Sequence, residues 1–178
     1  MGQNMVILKN KNFILRHPRL SDLEDCYKNQ NDPVAKKMFM TTPKNISEAK
    51  KELLNHINEN KKKRKHQENF VIDIGGKAVG EVWISHIAYD YEKHKASFGY
   101  VLRKEYRGRG ITTAAVKLLT DYAFKKYKLK RMYTHTRIFN KPSRQLLEKA
   151  GFKIEGILRK NKWKNGKYLD DCLYAKVK

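Results

Sequence analysis

The tightest constraint on the fold is one continuous stretch of chain, Ala96 to about Lys126. It opens with a strand-like run, Ala96-Ser97-Phe98-Gly99-Tyr100-Val101-Leu102, and passes through Tyr106-Arg107-Gly108-Arg109-Gly110-Ile111-Thr112. From Thr113 onward Ala115, Leu118, Leu119, Tyr122 and Ala123 recur at helical spacing as a wide apolar stripe. A strand, a short loop with two glycines and then a helix build a corner that holds phosphate. Glycine lets backbone approach a ligand with no Cβ in the way. The first helical amides have no partner within the helix and point out of its end, where the helix dipole adds partial positive charge. Arg107 and Arg109 add full charges, so the loop is expected to grip a pyrophosphate.

The flanking elements narrow what kind of phosphate site this is. Phe70 to Ile74 is a strand, Gly75-Gly76-Lys77 reads as a hairpin turn, and Ala78 to Ile87 is the returning strand. After a polar connection, Tyr89 to Lys95, the strand Ala96 to Leu102 runs into the loop. Three consecutive antiparallel strands argue against a dinucleotide-binding unit of alternating strands and helices. The lack of a Gly-Lys-Ser/Thr ending excludes a nucleoside-triphosphate loop. Lys130 to Ile138 is the next strand, and its arrival after a crossover helix places it parallel to the strand before the loop. Asn140-Lys141-Pro142-Ser143 starts a helix that ends at Ala150, with Gly151 at its C′ position. Phe152 to Leu158 and Tyr168 to Val177 are strands about a turn at Lys164 to Lys167.

Upstream, Met5 to Arg16 suits a first strand or hairpin, and His17-Pro18-Arg19 breaks it. Ser21, with Glu24 three residues on, is expected to cap a helix. Asn31-Asp32-Pro33 marks a turn, Val34 to Phe39 a further helical turn, and Ser47 a cap for a helix from Glu48 to about Asn60. With no repeat, linker or second composition, residues 1–178 read as one α+β domain, a mostly antiparallel sheet with helices packed on it.

Charge bears on partners rather than fold. Forty Lys and Arg stand against 18 Asp and Glu, a net charge of +22. That favours polyanions: a phosphorylated cofactor, RNA, a ribosome or an acidic protein. The plain alternative is that lysine is simply this chain's surface residue. The block Lys61-Lys62-Lys63-Arg64-Lys65 likewise reads either as a nucleic-acid contact or as the solvated end of a helix. No apolar run reaches the roughly 20 residues of a membrane span. The residues Met1 to Met5 lack the apolar core of a signal peptide. Cys26 and Cys172 stand far apart with no metal spacing, as reduced thiols of a cytoplasmic protein would.

Several segments together resemble the GNAT superfamily of acetyl-CoA-dependent N-acetyltransferases. They are Gly80; Phe98-Gly99-Tyr100-Val101-Leu102; Tyr106-Arg107-Gly108-Arg109-Gly110; Asn140-Lys141-Pro142-Ser143; Leu147-Glu148-Lys149-Ala150-Gly151-Phe152; and Glu155-Gly156. The chain is most similar to the branch of ribosomal-protein N-terminal acetyltransferases, near which the spermidine acetyltransferases also lie. The likeness covers nearly the whole chain. It implies a mixed, mostly antiparallel sheet with helices on both faces and a V-shaped opening between its two parallel central strands.

The resemblance also implies site roles. The family's phosphate motif falls on Arg107, Gly108, Arg109, Gly110, Ile111 and Thr112, with Thr112 where Gly or Ala is usual. Backbone groups of Val101 and Leu102 would pair with the pantetheine arm of acetyl-CoA, an amide near Leu102 would polarise the thioester carbonyl, and Asn140 would contact the arm or the substrate. Many members use a tyrosine one turn before the Gly-Phe pair as the acid; here that residue is Leu147, and Ser143 is the implied proton donor. The other reading of Ser143 is a helix cap. Glu81 and Glu155 are the candidate bases, each more readily explained by a salt bridge among many lysines, and Lys162 stands where some members carry a glutamate. His135 and His86 are weaker candidates.

An α-amine has a pKa of about 8 and a lysine side chain about 10.4, so the missing obvious base favours an N-terminal α-amine. The expected function is therefore acetyl transfer to a primary amine, an acidic or ribosomal protein's N-terminus first and a polyamine or small amine second. Homodimers are common in the family. From another class, the same chain reads as a ribosome- or RNA-binding module on an inactive acetyltransferase fold, with Lys61 to Lys65 and Arg159 to Lys164 as the contact.

Overall fold

The computed structural model describes residues 6–87 and 92–178. Its sheet runs in the order β1 (Ile7–Lys9), β2 (Ile14–Arg16), β3 (Gln67–Ile74), β4 (Lys77–Ser85), β5 (Lys95–Leu102), β6 (Arg131–Arg137), β8 (Lys167–Val177), β7 (Lys153–Lys164). All neighbours are antiparallel except β5 and β6, the pair bridged by a crossover helix. This is the mixed α+β architecture the sequence implies.

Two-residue alternation assigns the two faces. Phe70, Ile72, Val82, Ile84, Phe98 and Met132 point to one side. There they pack against Ala115, Leu119 and Ala123 of α4 (Ile111–Tyr127) and Leu147 of α5 (Lys141–Lys149). Val71 points to the other side and packs with Cys26 of α1 (Leu23–Gln30) and Leu53 of α3 (Ile46–Lys61). Burying an aliphatic or aromatic side chain this fully is worth roughly 1.5–3 kcal/mol each. α2 (Pro33–Met38) follows α1. Gly99 has a packing reason, since the Trp83 indole lies across it and leaves no room for a Cβ.

Local expectations shift in a few places. Ser21 caps nothing: a 3-10 turn, Leu20–Asp22, precedes α1, and the Asp22 carboxylate takes the Arg19 amide at 2.7 Å while gripping Arg16. Asn45, not Ser47, caps α3, its Oδ1 accepting from the Glu48 amide at 2.9 Å. α4 begins at Ile111, directly after Gly110, two residues earlier than the apolar stripe indicates. β7 runs on to Lys164 instead of ending at Leu158, because a bulge lets it stay paired with β8. Met5 and Tyr89 to Tyr91 lie outside the described residues. Both cysteines are buried and free, and no group of three metal-ligating side chains occurs among the described residues. No helix there is long and apolar enough to cross a membrane.

Candidate active site

β5 and β6 pair over three residues only, Lys95–Ser97 against Arg131–Tyr133. Beyond that β5 stays with β4 as far as Leu102, while β6 stays with β8 as far as Arg137. The strands therefore part, and the Thr134 hydroxyl donating to the Phe98 carbonyl at 2.8 Å bridges the point of divergence. A cavity of about 910 Å³ fills the V and continues past the glycine loop to α2 and the β7–β8 hairpin.

Hydrogen-bond parity decides which backbone groups face the opening. The Arg103 amide donates to Val79 on β4, and alternation along β5 then turns Val101 toward β4 and Tyr100 and Leu102 toward the gap. The Phe98 carbonyl on Thr134 and the Leu102 carbonyl on Arg107 agree with that phase. Of the two residues implied for the pantetheine arm, Leu102 turns its peptide groups to the cavity; Val101 contributes lining while its peptide pairs with β4.

The loop has the backbone of an anion cradle. Gly108 and Gly110 have φ of +78° and +73°, and a Cβ built on either meets nothing within 4 Å. The first helical bond of α4 runs from the Ala114 amide to the Gly110 carbonyl, which leaves the amides of Ile111, Thr112 and Thr113 without helical partners. Thr112 is buried and lines the cavity. Each of the two arginines has a partner within the protein. Arg107 spans from Asp32 at the start of α2 (2.7 Å) to the Leu102 carbonyl (2.9 Å). Arg109 lies over the Tyr106 ring and does not line the cavity. Arg107 still lines the cavity, and with it near the loop stand Lys117 on α4 and Lys149 on α5, which sequence spacing did not single out.

Opposite the loop, α5 presents Ser143. Its hydroxyl accepts from Thr136 at 2.9 Å and lies 2.7 Å from the Tyr100 phenol. Burial pushes the Tyr100 pKa up to about 12, against the opposing pull of the Ser143 hydrogen bond, so the phenol keeps its proton. Asn140 lines the cavity and caps α5, its Oδ1 taking the Ser143 amide at 3.4 Å.

The glutamates are elsewhere. Glu81 is buried on the α1 and α3 side of the sheet, Oε2 on Gln30 at 3.3 Å and Oε1 without a partner, and it does not line the cavity. Burial raises its pKa to about 8. Glu155 forms a two-pronged ion pair with Arg131, at the opposite end of β6 from the cavity. The structure thus brings neither carboxylate to the cleft, because a strand's direction does not reveal which face, or which end, meets the opening. His86 bonds Ser97 outside the cavity, whereas His135 lines it. Asp171 is the carboxylate that lines the cavity among the described residues, and Arg137 (2.6 Å) and Asn161 (2.8 Å) occupy its oxygens.

Comparison with known proteins gives the arrangement its family. The acetyltransferase (GNAT) domain family matches residues 12–153. Probable N-acetyltransferase YjcK of Bacillus subtilis strain 168 is 48% identical over 80 residues, 45% of this chain and 44% of that protein. The spermidine N(1)-acetyltransferase of Escherichia coli K12 is 30% identical over 113 residues, 64% of this chain and 57% of that protein. The matches span about half the length of these curated relatives. Among solved structures, the ribosomal-protein-S5-alanine acetyltransferase from Vibrio fischeri superposes with a TM-score of 0.85 at 25% identity, over 97% of this chain and 96% of that one. The microcin C7 self-immunity acetyltransferase MccE, in complex with acetyl-CoA and AMP, gives 0.83 at 27% identity, over 94% and 93%.

Acetyl-CoA fits the residues present. The open space beside Gly108 and Gly110, with the amides of Ile111 to Thr113 that have no helical partner, suits a pyrophosphate, and the β5 edge at Tyr100 and Leu102, which no strand of the sheet covers, suits an amide-bearing arm. Matched over residues 12–153 and folded around a split parallel pair, the chain belongs to the GNAT acetyltransferase family.

Proposed function

We propose that the acceptor is a protein N-terminal α-amine, as in enzymes of the ribosomal-protein type. The observation that carries this reading is the absence of an available carboxylate on the cavity wall among the described residues. Asp171 is already bound by Arg137 and Asn161, and Glu81 and Glu155 lie outside the lining. A polyamine binds through carboxylates, and a lysine side chain, with a pKa of about 10.4, needs a strong base. An α-amine near pKa 8 is partly neutral at physiological pH, and water suffices to take its proton.

Bound acetyl-CoA supplies the activated acyl group. The amides of Ile111 to Thr113 and Lys117 hold its phosphates. The Leu102 amide faces the position of the thioester carbonyl and stabilises the charge that develops there. Ser143, with Tyr100 and Thr136 behind it, gives a proton to the departing thiolate and regains one through the chain of hydroxyls. Glu81 and Glu155 have no step in this reading.

The second reading is a polyamine acetyltransferase, favoured by the 30% identity to a spermidine enzyme. The basic block does not bear on the cavity: Lys62 pairs with Glu59 and Lys65 reaches the Asn60 carbonyl, at the end of α3. An acetylation assay over N-terminal peptides, spermidine and aminoglycosides separates the readings. Turnover of peptides with kcat/KM at least about 10-fold above spermidine is the expected result; spermidine as the better acceptor overturns it.

A further inference from the structure

The end of the cavity away from the glycine loop has an unusual construction. After a one-residue shift at Glu155, β7 and β8 stay paired as far as Leu158 with Asp171, and pairing resumes at Lys162 with Leu169. Over that interval β7 advances four residues and β8 two, so β7 carries two extra residues. Lys160 within the bulge sits at φ +51°, a conformation costly for a residue with a Cβ. Bulges beside sites re-aim side chains, and this one has two visible consequences. Asn161 turns in to hold Asp171 at 2.8 Å, and Lys162 joins the cavity lining.

The charges there do not cancel. Arg137 and Asp171 neutralise each other. Lys164 packs its ammonium on the carbonyls of Lys36 and Phe39 at the end of α2. The Lys162 ammonium has no hydrogen-bond or ion-pair partner among the described residues. His135 beside it is held below its ordinary value by burial, with Lys162 pushing the same way against Asp171, and so adds little charge at neutral pH. The walls that complete this end are apolar: Met38, Phe39 and Met40.

We propose that this end of the cavity reads a carboxylate carried by the acceptor close to its reactive amine, and that Lys162, aimed by the β7 bulge, is the residue that determines this specificity. The inference rests on the α-amine reading above and names its substrate class: amines with an acidic neighbour. An acceptor carboxylate completes the charge on Lys162, and a polycation meets a lysine with no acid left to offset it. The same lysine disfavours the ammonium form of the incoming amine, which adds to the neutral nucleophile. The carboxylate has two sources, the α-carboxylate of a free amino acid or an acidic side chain just after a peptide's N-terminus.

The test uses the full chain with acetyl-CoA and measures thiol release. Acceptors are the C-terminally amidated peptides Ser-Asp-Asp-Ala, Ser-Asn-Asn-Ala and Ser-Lys-Lys-Ala, together with serine, serinamide and spermidine, each with wild type and Lys162→Gln. Lys162 is exposed, so the substitution leaves the fold intact. The expected result is a kcat/KM for the Asp peptide about 10-fold above the Asn peptide, reduced to about 2-fold in Lys162→Gln with the KM for acetyl-CoA unchanged, and weaker at high salt. A preference for serine over serinamide assigns the carboxylate to the amino acid; a preference confined to the peptides assigns it to the side chain. Equal turnover of the Asp and Asn peptides together with equal turnover of serine and serinamide, or a preference untouched by Lys162→Gln, overturns this inference and leaves the α-amine reading standing. Turnover of spermidine alone overturns both.

Discussion

The Tyr100 phenol and the Ser143 hydroxyl lie 2.7 Å apart although 43 residues separate them in the chain. One comes from the strand that borders the opening and the other from the first turn of α5, so the contact exists only when both are docked. Ser143→Ala is expected to lower kcat by about 10–100-fold while the dissociation constant for coenzyme A stays within about 2-fold. Tyr100→Phe is expected to show a smaller fall of the same kind. Burial keeps the phenol protonated up to about pH 12, so no alkaline limb in the wild-type profile comes from it. Thiol-release kinetics and calorimetry read both quantities.

Arg107 holds the cofactor loop to the roof of the acceptor end. Its partner Asp32 also caps α2, accepting from the amides of Val34 and Ala35. Partial burial works against the Asp32 charge, but the Arg107 hydrogen bond and charge, with those amides, hold its pKa below the ordinary value. Asp32→Ala removes cap and tether together. The acceptor KM is expected to rise by about 5-fold or more, with a smaller change in coenzyme A affinity, because Val34, Ala35, Met38, Phe39 and Met40 line the cavity. Arg107→Lys is expected to give the same pattern, since an ammonium cannot span both Asp32 and the Leu102 carbonyl.

Gly110 and Gly166 make a matched pair. Their φ values are +73° and +75°, one in the phosphate cradle and one in the β7–β8 turn. Alanine at either is expected to cost about 1–2 kcal/mol of stability through backbone strain. Only Gly110→Ala is expected to weaken coenzyme A binding, by about 10-fold, because its Cβ enters the space left for the pyrophosphate. Chemical denaturation and calorimetry on both variants separate strain from occupancy.

Glu68 ties α4 to the first strands. Its carboxylate accepts from Tyr127 (2.6 Å), Tyr122, Lys126 and the His17 ring. Burial alone would raise its pKa; the hydrogen bonds from His17 and Tyr127 and the Lys126 charge outweigh that and hold it down at about 2. A depressed carboxylate stabilises the fold above its unfolded pKa of about 4.3, and that contribution is lost as pH falls toward 2. Glu68→Gln is expected to cost up to about 3 kcal/mol at pH 7 and progressively less between pH 4.5 and 2. Denaturant unfolding across that range measures it.

Glu81 is the opposite case. Burial, aided by the nearby Glu52 charge against the Gln30 hydrogen bond, raises its pKa to about 8. The native state keeps a proton that the unfolded chain has lost, so stability falls as pH rises from about 4.5 to 8. Glu81→Gln is expected to match wild type near pH 5 and to melt several degrees higher at about pH 8.5. Its activity is expected to stay within about 3-fold of wild type, because the carboxyl does not line the cavity. Thermal unfolding and thiol-release rates check the two halves.

The local elements were legible because each is written in neighbouring residues. Gly108 and Gly110 between a strand and a helix, Gly75-Gly76 in a hairpin, and Asn140 to Ser143 opening a helix all describe turns and caps that depend on a few adjacent side chains. The order of these elements carried the fold class, since a helix after three antiparallel strands makes the next strand parallel. Which face and which end each side chain meets was not legible. Arg107 and Arg109 stand in the cradle's sequence, yet one is drawn to Asp32, 75 residues away, and the other to Tyr106. Lys117, Lys149 and Tyr100 reach the cavity only because α4, α5 and β5 converge there. Glu81 and Glu155 are carboxylates on the right strands, turned to the far face and the far end.

The sequence by itself determined a two-glycine loop opening a helix, an α+β order and a serine at the start of α5, because such local backbone conformation is settled within a few residues. Only the tertiary structure decided that β5 and β6 part after Ser97 and Tyr133, that the Asp171 carboxylate is spoken for, and that a bulge turns Lys162 to the cavity. Those outcomes depend on strand twist, register and charge pairing between residues far apart in the chain, and such couplings are satisfied only when the whole sheet is assembled.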